Sequence, residues 1–358
     1  MKVTVDATPL LFRSAGVKSY LFHWLAALRG AAGAHTLGTW PALPPGFALD
    51  HERSPLEAPR TLAHLARAAL ARYAGWRPPR RGADVFHASN LASSAPRGAR
   101  LTATLHDLTC WLAPGLHARG NVAADLAFAG RILVRADAVI AISECTRRDA
   151  LRLLRLKPEK VRVIYPGVAE AYFQEPAPET QPRPYVLFTG AVEPRKNLDR
   201  LLDAWLALPR DYRQAFELRV AGPPGWRAAA TEARLRETEG VRRLGYVPEA
   251  GLPALFRGAA LFVYPSLYEG FGLPLAQALA SGVPALASNA GSLPEVAGEA
   301  ADYVNPYSVA DLAAALRRLL DDPARRARLS AAGRARAERF RWSRAAAASW
   351  RLFEELAG

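Results

Sequence analysis

Short apolar runs alternate along this chain with longer segments whose apolar residues recur at helical spacing. Because strands buried on both faces are continuously apolar, this alternation predicts parallel sheets covered by helices on both sides. In the first half we predict strands at residues 2–6, 84–87, 101–105, 138–142 and 161–165. In the second half we predict strands at residues 185–189, 216–221, 241–244, 261–264, 284–288 and 301–304. The predicted fold class is α/β, with two Rossmann-like, doubly wound sheets.

A proline-rich segment without periodicity, residues 174–184, separates the two series of strands. Such a composition is typical of an interdomain linker, and 358 residues are enough for two ordinary cores. We therefore predict domains at residues 1–180 and 181–341.

The most informative loop follows the apolar run that ends at Tyr264 and contains Glu269, Gly270 and Gly272. A helix is predicted to begin near Pro274, and the N-terminus of a helix attracts anions such as a diphosphate. Glu269 beside it can accept hydrogen bonds from hydroxyl groups. An anion next to a polyol describes a nucleotide-sugar, although a tight turn in any parallel sheet would look similar and carries equal weight.

A second loop, residues 190–197, joins a predicted strand to a helix and contains Gly190, Arg195, Lys196 and Asn197. Adjacent cations before a helix are placed to neutralise a diphosphate, and Asn197 is a candidate N-cap. A solvated basic pair is the alternative.

The first half contains weaker signals of the same kind. His106 and Asp107 follow a predicted strand, where side chains of an open α/β sheet point into the ligand crevice. Asp107 could raise the pKa of His106, and a neutral imidazole could bond a sugar hydroxyl. Gly16 lies in a strand-to-helix turn that could approach a phosphate, and Ser143 is a candidate N-cap. A purely structural role is the alternative for each of these residues.

The charge balance narrows the possible partners. The net charge of +14 comes from 47 Lys and Arg against 33 Asp and Glu, with the Arg residues dispersed and no nucleic-acid-binding motif, so we expect no nucleic-acid partner. In residues 58–81 the positive charges are not dispersed. The pattern there predicts a basic amphipathic helix that could lie on an anionic membrane. The alternative for this helix is a surface helix covering a sheet.

Cysteine content and hydropathy bear on localisation. Cys110 and Cys145 cannot form a disulfide framework and lack zinc-site spacing, and no apolar run is long enough to cross a bilayer. We expect a cytoplasmic protein without a signal peptide, with any membrane contact peripheral and at the inner face.

Taken in order, these motifs resemble the retaining glycosyltransferases of family 4, and the resemblance spans essentially the whole chain. Within that family the chain is similar to mannosyl- and hexosyltransferases of polysaccharide and lipopolysaccharide assembly. The motifs are Gly16, His106-Asp107, residues 136–143 with 161–167, Gly190 with Pro194-Arg-Lys-Asn197, Glu269-Gly-Phe-Gly-Leu-Pro274, and residues 291–298. The resemblance implies the GT-B architecture, in which two Rossmann-like domains face a cleft and a C-terminal helix, here residues 342–358, packs back on the first domain.

The resemblance also implies roles for individual residues. Arg195 and Lys196 would bind the donor diphosphate, His106 would contact the donor sugar, and Glu269 would accept its hydroxyl hydrogen bonds. The remaining donor-binding residues implied are Gly16, Gly190, Val247, Phe271, Gly272, Leu273 and Gln277. Two positions depart from the family pattern, because Gln277 replaces a ribose-binding glutamate and Ala191 replaces an arginine.

The implied reaction is transfer of a hexose, with mannose from GDP-mannose favoured, to a glycan or lipid-linked acceptor. The chain has no Asp-x-Asp element, so we expect no metal and no cofactor beyond the nucleotide-sugar co-substrate. The resemblance suggests front-face substitution with retention of anomeric configuration. Two alternatives remain: a catalytically silent nucleotide-sugar-binding subunit and a nucleotide-sugar epimerase of the same architecture.

Overall fold

The computed structural model describes residues 1–13, 16–74, 77–78, 82–174 and 183–358, without the side chains of residues 71–74. The chain forms two compact units. The first comprises Met1–Gly167 with Arg341–Gly358, and the second comprises Val168–Phe340. The chain thus enters the second unit at Val168, whereas the proline-rich segment predicts a boundary near residue 180. Most of that segment, residues 175–182, lies outside the described residues.

The first unit is built on a six-stranded parallel sheet in the order β2-β1-β3-β4-β5-β6. Its strands are β1 Lys2–Asp6, β2 Thr36–Trp40, β3 Val85–Ala88, β4 Arg100–Leu105, β5 Ala138–Ala141 and β6 Val161–Val163. Its helices are α1 Gly16–Gly30, α2 Ala58–Ala74, α3 Thr109–Leu112, α4 Arg119–Arg131 and α5 Glu144–Leu153, with α14 Trp342–Ala357 from the C-terminus. Strand β2 has no counterpart in the sequence prediction, because its half-exposed edge position needs little apolar surface.

The second unit repeats this plan with the strand order β12-β11-β10-β7-β8-β9. Its strands are β7 Tyr185–Thr189, β8 Glu217–Ala221, β9 Val241–Gly245, β10 Leu261–Tyr264, β11 Ala285–Ser288 and β12 Ala301–Val304. Its helices are α6 Leu198–Leu206, α7 Arg210–Ala215, α8 Ala229–Glu237, α9 Leu252–Arg257, α10 Leu273–Ala280, α11 Leu293–Ala297, α12 Val309–Asp321 and α13 Pro323–Ala337. The predicted α/β class with two Rossmann-like sheets is confirmed.

Both sheets reverse the direction of strand addition at one place. In the first sheet, β1 lies between β2 and β3, and in the second, β7 lies between β8 and β10. The loops that leave such neighbouring strands diverge to opposite sides of the sheet and open a crevice at the carboxyl ends of the strands. Each unit therefore has one crevice that its topology favours for a ligand.

The C-terminal helix α14 belongs to the first unit and packs on α1. The indole nitrogen of Trp24 on α1 donates to Ser349 Oγ at 3.0 Å, and that of Trp350 donates to Leu28 O at 3.1 Å. Each tryptophan thus buries an apolar ring while its N–H group finds a partner. These bonds fix the C-terminal helix to α1 of the first unit.

Candidate active site

The crevice of the second unit lies between the loops that follow β7 and β10. The loop after β7 contains a short 3₁₀ helix, Pro194–Lys196, and the loop after β10 contains Glu269. The backbone amide of Leu267 donates to Arg195 O at 2.9 Å, so the two loops are bonded directly to each other. The adjacent cations Arg195 and Lys196 are thereby brought to Glu269, more than 70 positions later in the chain.

Glu269 is the centre of a buried ionic cluster. Its Oε2 accepts a hydrogen bond from Arg195 Nη1 at 2.6 Å, and its Oε1 accepts one from Lys196 Nζ at 2.7 Å. The side chains of Lys196 and Glu269 are only 9% and 8% exposed. Lys196 also donates to Tyr264 Oη at 2.6 Å, and Arg195 Nη2 donates to Glu193 Oε1 at 2.9 Å. Charge-assisted bonds of this length hold both cations in fixed positions.

The protonation states follow from burial and from the neighbouring charges. Burial alone would raise the pKa of Glu269, but Arg195 and Lys196 outweigh it and lower the pKa to about 2. Burial lowers the pKa of Lys196, an effect that Glu269 opposes and Arg195 reinforces. Burial, followed by the charge of Glu269, raises the pKa of Tyr264 well above its ordinary value. Glu269 is therefore a carboxylate near neutral pH, and Tyr264 is a neutral phenol.

Two glycines allow the Glu269 loop to adopt its shape. Gly272 precedes α10 with φ of 83°, and a Cβ atom there would lie 2.4 Å from Leu293 Cδ2. A Cβ atom on Gly291, whose φ is 59°, would lie 2.7 Å from Glu269 O. That oxygen instead accepts hydrogen bonds from the amide and the hydroxyl of Ser292 at 3.1 and 3.0 Å. Only glycine adopts these positive φ values without strain and leaves this space free. Gly272 and Gly291 thus hold the loop that contains Glu269 in its shape.

Asn197 corrects one expectation. It occupies the N-cap position of α6, but its side chain makes no capping bond, and its φ is 61°. Its Nδ2 donates to Pro265 O at 3.0 Å and to Pro306 O at 2.7 Å. The residue therefore ties the loop after β7 to the loops after β10 and β12 instead of capping the helix. Ser143, by contrast, is confirmed as an N-cap, because its Oγ accepts from Thr146 N at 2.9 Å.

The remaining predicted donor residues of the second unit lie around the same edge of the sheet. Gly190 directly follows β7, and its amide donates to Ala221 O at 2.9 Å. Phe271 is buried with its ring edge-to-face against Phe340, so only its backbone can meet a ligand. Leu273 begins α10, Gln277 lies one turn inside it, and Val247 follows β9, all three half-buried.

Gly16 and His106 belong to the first unit. Gly16 is the first residue of α1, and His106 follows β4 with its ring edge-to-face to Tyr20 at 4.9 Å. Burial lowers the pKa of His106 to about 4, although Asp107 acts in the opposite direction. Asp107 does raise this pKa, as expected, but desolvation of the imidazolium is the larger effect, so the net shift is downward. The ring is therefore neutral near neutral pH.

Tyr264 and Glu193 are site residues that the sequence reasoning missed. Both contact the cations of the cluster, Tyr264 from the last position of β10 and Glu193 from the loop after β7. The position of Tyr264 at a strand end and that of Glu193 in the loop before Arg195 could have indicated them. Among the described residues, no three His, Cys, Asp or Glu side chains converge as a metal site would require.

The comparisons with known proteins agree with this architecture. The family model "Glycosyltransferase Family 4" matches residues 13–172, and "Glycosyl transferases group 1" matches residues 170–336. The O-antigen chain mannosyltransferase B of Escherichia coli is 32% identical over 271 residues, which is 72% of this chain and 71% of that protein.

Two solved structures share the fold over the whole chain. Sucrose-phosphate synthase from Thermosynechococcus elongatus superposes with a TM-score of 0.75 at 21% identity, covering 99% of both chains. Anabaena Alr3699/HepE in complex with UDP-glucose superposes with a TM-score of 0.71 at 18% identity, covering 99% of this chain and 100% of that one. At these identities the likeness concerns the fold alone.

The chain combines two Rossmann-like sheets with a charged cluster in the crevice of the second. The two family models and the O-antigen mannosyltransferase relative show the family of the chain. The chain belongs to glycosyltransferase family 4.

Proposed function

We propose that the chain transfers a hexose, with mannose favoured, from a nucleotide-diphosphate sugar to a glycan or lipid-linked acceptor. The observation that carries this proposal is the Arg195–Lys196–Glu269 cluster at the crevice of the second sheet. Two fixed cations suit the diphosphate of a donor, and a carboxylate beside them suits the hydroxyls of its sugar. The O-antigen mannosyltransferase relative supports mannose, for which GDP-mannose is the favoured donor.

Lys196 is well suited to meet the leaving group. An ammonium has three donors, and Tyr264 and Glu269 accept two of them in the described structure. A third donor can reach a phosphate oxygen without loss of the bond to Glu269. Because Glu269 holds both cations before the donor arrives, little reorganisation is needed when charge develops on the departing diphosphate. The proposed reaction is accordingly metal-independent.

The remaining roles follow the family resemblance. Gly190, Gly272 and the backbone of Phe271 and Leu273 would line the sugar-phosphate site, Val247 would meet the base, and Gln277 the ribose. A neutral imidazole at His106 can donate one hydrogen bond to a sugar hydroxyl and accept another.

The reaction is tested by incubating the protein with GDP-mannose and a mannoside acceptor and following the product by proton NMR. We expect release of GDP in step with formation of an α-linked mannoside, because front-face substitution retains the configuration of the donor. A β-linked product would contradict retention. GDP release with free mannose, or donor epimerisation without acceptor, would contradict transfer itself.

We further propose that helix α2 contacts an anionic membrane surface. Its buried side includes His64, which shares a hydrogen bond with Thr8 Oγ1 at 2.9 Å and lies edge-to-face to the ring of Trp40 at the end of β2. Its outer face presents Leu62 and Leu70, 66% and 53% exposed, together with exposed Arg60 and Arg67. Exposed leucines can enter the acyl region of a bilayer while the arginines beside them contact its anionic headgroups. Residues 75–76 and 79–81 of the predicted contact region lie outside the described residues. No helix of the described chain has the length and apolar character of a membrane span.

Sedimentation with phosphatidylglycerol vesicles tests this contact. We expect the double substitution Leu62→Ser and Leu70→Ser to reduce the bound fraction of protein several-fold. Each substitution removes an apolar side chain that would be buried in the membrane interface. Leu206→Ser, at an exposed leucine of the second unit, is the matched control and should bind normally. Equal binding of wild type to neutral phosphatidylcholine vesicles, or full binding by the double variant, would rule out the proposed contact.

A further inference from the structure

The ionic cluster of the second unit carries a second carboxylate, that of Glu193, on its outer side. This carboxylate accepts one hydrogen bond of 2.9 Å from Arg195 Nη2, whereas Glu269 accepts shorter bonds of 2.6 and 2.7 Å from both cations. The side chain of Glu193 is 24% exposed, against 14% for Arg195 and 8% for Glu269. Glu193 is therefore the charge of the cluster that is most open to solvent and least firmly held.

The charges that are in direct contact within the cluster cancel. Two cations, Arg195 and Lys196, meet two carboxylates through the ion pairs of the cluster. The cluster thus offers no surplus positive charge to an incoming anion. A diphosphate that bound beside both carboxylates would place its own charge against theirs in a largely buried site, where like charges repel strongly. One carboxylate has to move away before a diphosphate can bind tightly.

Glu193 is the carboxylate that can leave without dismantling the cluster. Arg195 stays in place when Glu193 departs, because its Nη1 donates to Glu269 Oε2 at 2.6 Å and to Tyr268 O at 2.9 Å. The departure leaves Nη2 able to donate to another oxygen. A guanidinium binds carboxylate and phosphate oxygens with the same geometry. The carboxylate of Glu193 thus occupies the position on Arg195 that a phosphate oxygen can take.

We propose that Glu193 competes with the donor diphosphate for Arg195 and is displaced from Arg195 Nη2 when the diphosphate binds. The inference rests on the proposed function, since it concerns the diphosphate site of the same reaction. The exchange breaks one ion pair and forms another, and no covalent bond changes. Glu193 lowers the affinity for the donor and for the released nucleoside diphosphate alike, because both carry the diphosphate. It thereby also favours release of the product.

Titration calorimetry of the full chain with GDP and UDP tests the inference. Glu193→Gln keeps the shape of the side chain and removes its charge, and we expect it to bind the preferred nucleotide about fivefold more tightly than wild type. Glu193→Ala removes the competing oxygen altogether and should act in the same direction. The matched control is Glu217→Gln, because Glu217 pairs with Arg219 at 2.6 Å, also two positions along the chain and similarly buried. The control should bind the nucleotide as wild type does.

Steady-state kinetics distinguish competition from a role in holding Arg195 in place. A competitor that is displaced before the reaction weakens the bound donor and the transition state equally. Glu193→Gln should therefore lower the KM for GDP-mannose about fivefold without raising kcat. A residue that only positions Arg195 predicts the opposite sign, with weaker nucleotide binding and a lower kcat/KM in the same variant.

The possible outcomes separate this inference from the proposed function. Weaker or unchanged nucleotide binding by folded Glu193→Gln or Glu193→Ala would overturn the competition and leave the donor chemistry standing. Equal tightening in Glu217→Gln would overturn it too, because the effect would then follow the net charge of the unit and not the position of the carboxylate. Failure of wild type to bind any nucleoside diphosphate or nucleotide-sugar would overturn the proposed function, and the competition with it.

Discussion

Replacing Lys196 by Ala is expected to reduce transfer by about two to three orders of magnitude, the effect typical of losing one fixed group that stabilises developing negative charge. The ammonium of Lys196 is buried and held by Tyr264 and Glu269, and the neighbouring guanidinium of Arg195 is itself bonded to Glu269 and Glu193. The measurement is the rate of GDP release that depends on acceptor.

The control for this substitution is Lys157→Ala, which removes an exposed lysine of the first unit. It should retain wild-type turnover. Because loss of one partner from a buried ion pair can destabilise a protein, Lys196→Met, which keeps most of the side-chain volume, should be measured alongside. Wild-type turnover in either folded Lys196 variant would contradict the assignment of the donor site.

Replacing Glu269 by Gln is expected to lower both transfer and stability. Gln cannot balance the charges of Arg195 and Lys196, so the cations lose their fixed positions and the donor sugar loses a charged acceptor. We expect transfer to fall by about two orders of magnitude. Glu299→Gln, at an exposed glutamate of the same unit, should behave as wild type in both measurements.

The stability effect has a defined pH dependence. The pKa of Glu269 is lowered from 4.5 to about 2 in the folded state, so the carboxylate stabilises the fold fully above the unfolded value and loses this contribution as the pH falls towards 2. The contribution is about 3 kcal/mol, since one pKa unit corresponds to about 1.4 kcal/mol. In urea unfolding, the difference between wild type and Glu269→Gln should therefore be largest above about pH 5 and shrink on acidification. A difference that is constant or grows as the pH falls would refute this account of the cluster.

The two sheets could be predicted from the sequence because their strands are buried on both faces. Residues such as Ala138–Ala141 and Leu261–Tyr264 are wholly buried, so each strand is a continuous apolar run. Strand β2 is an edge strand with half-exposed residues, among them Thr39 and Gly38, and it lacks such a run. Local pattern therefore revealed central strands and missed an edge strand.

The residues of the candidate site were predictable, but their bonds to one another were not. Glycines and cations in strand-to-helix loops identified Arg195, Lys196 and Glu269 one loop at a time. Their pairing spans more than 70 positions and depends on β10 lying beside β7, an order that the local pattern does not encode. For the same reason, the role of Asn197 was misjudged: its partners, Pro265 and Pro306, come from strands that follow much later.

The pKa of His106 shows a second limit of sequence reasoning. Asp107 is visible next to it, and its effect on the imidazole has the expected sign. Burial depends on the fold around the ring, including Tyr20 from α1, and its effect is larger. Adjacent charges can be seen in a sequence, whereas desolvation cannot.

The central claim is that Arg195 and Lys196, held by Glu269, bind the diphosphate of the donor. The most direct test is the thermal shift of wild type and Lys196→Met with GDP, UDP and their sugar conjugates. A ligand at a hundred times its dissociation constant should stabilise wild type by about 2.7 kcal/mol, and the same concentration should stabilise the variant far less. Equal stabilisation of both proteins, or none of wild type by any of these ligands, would contradict the claim.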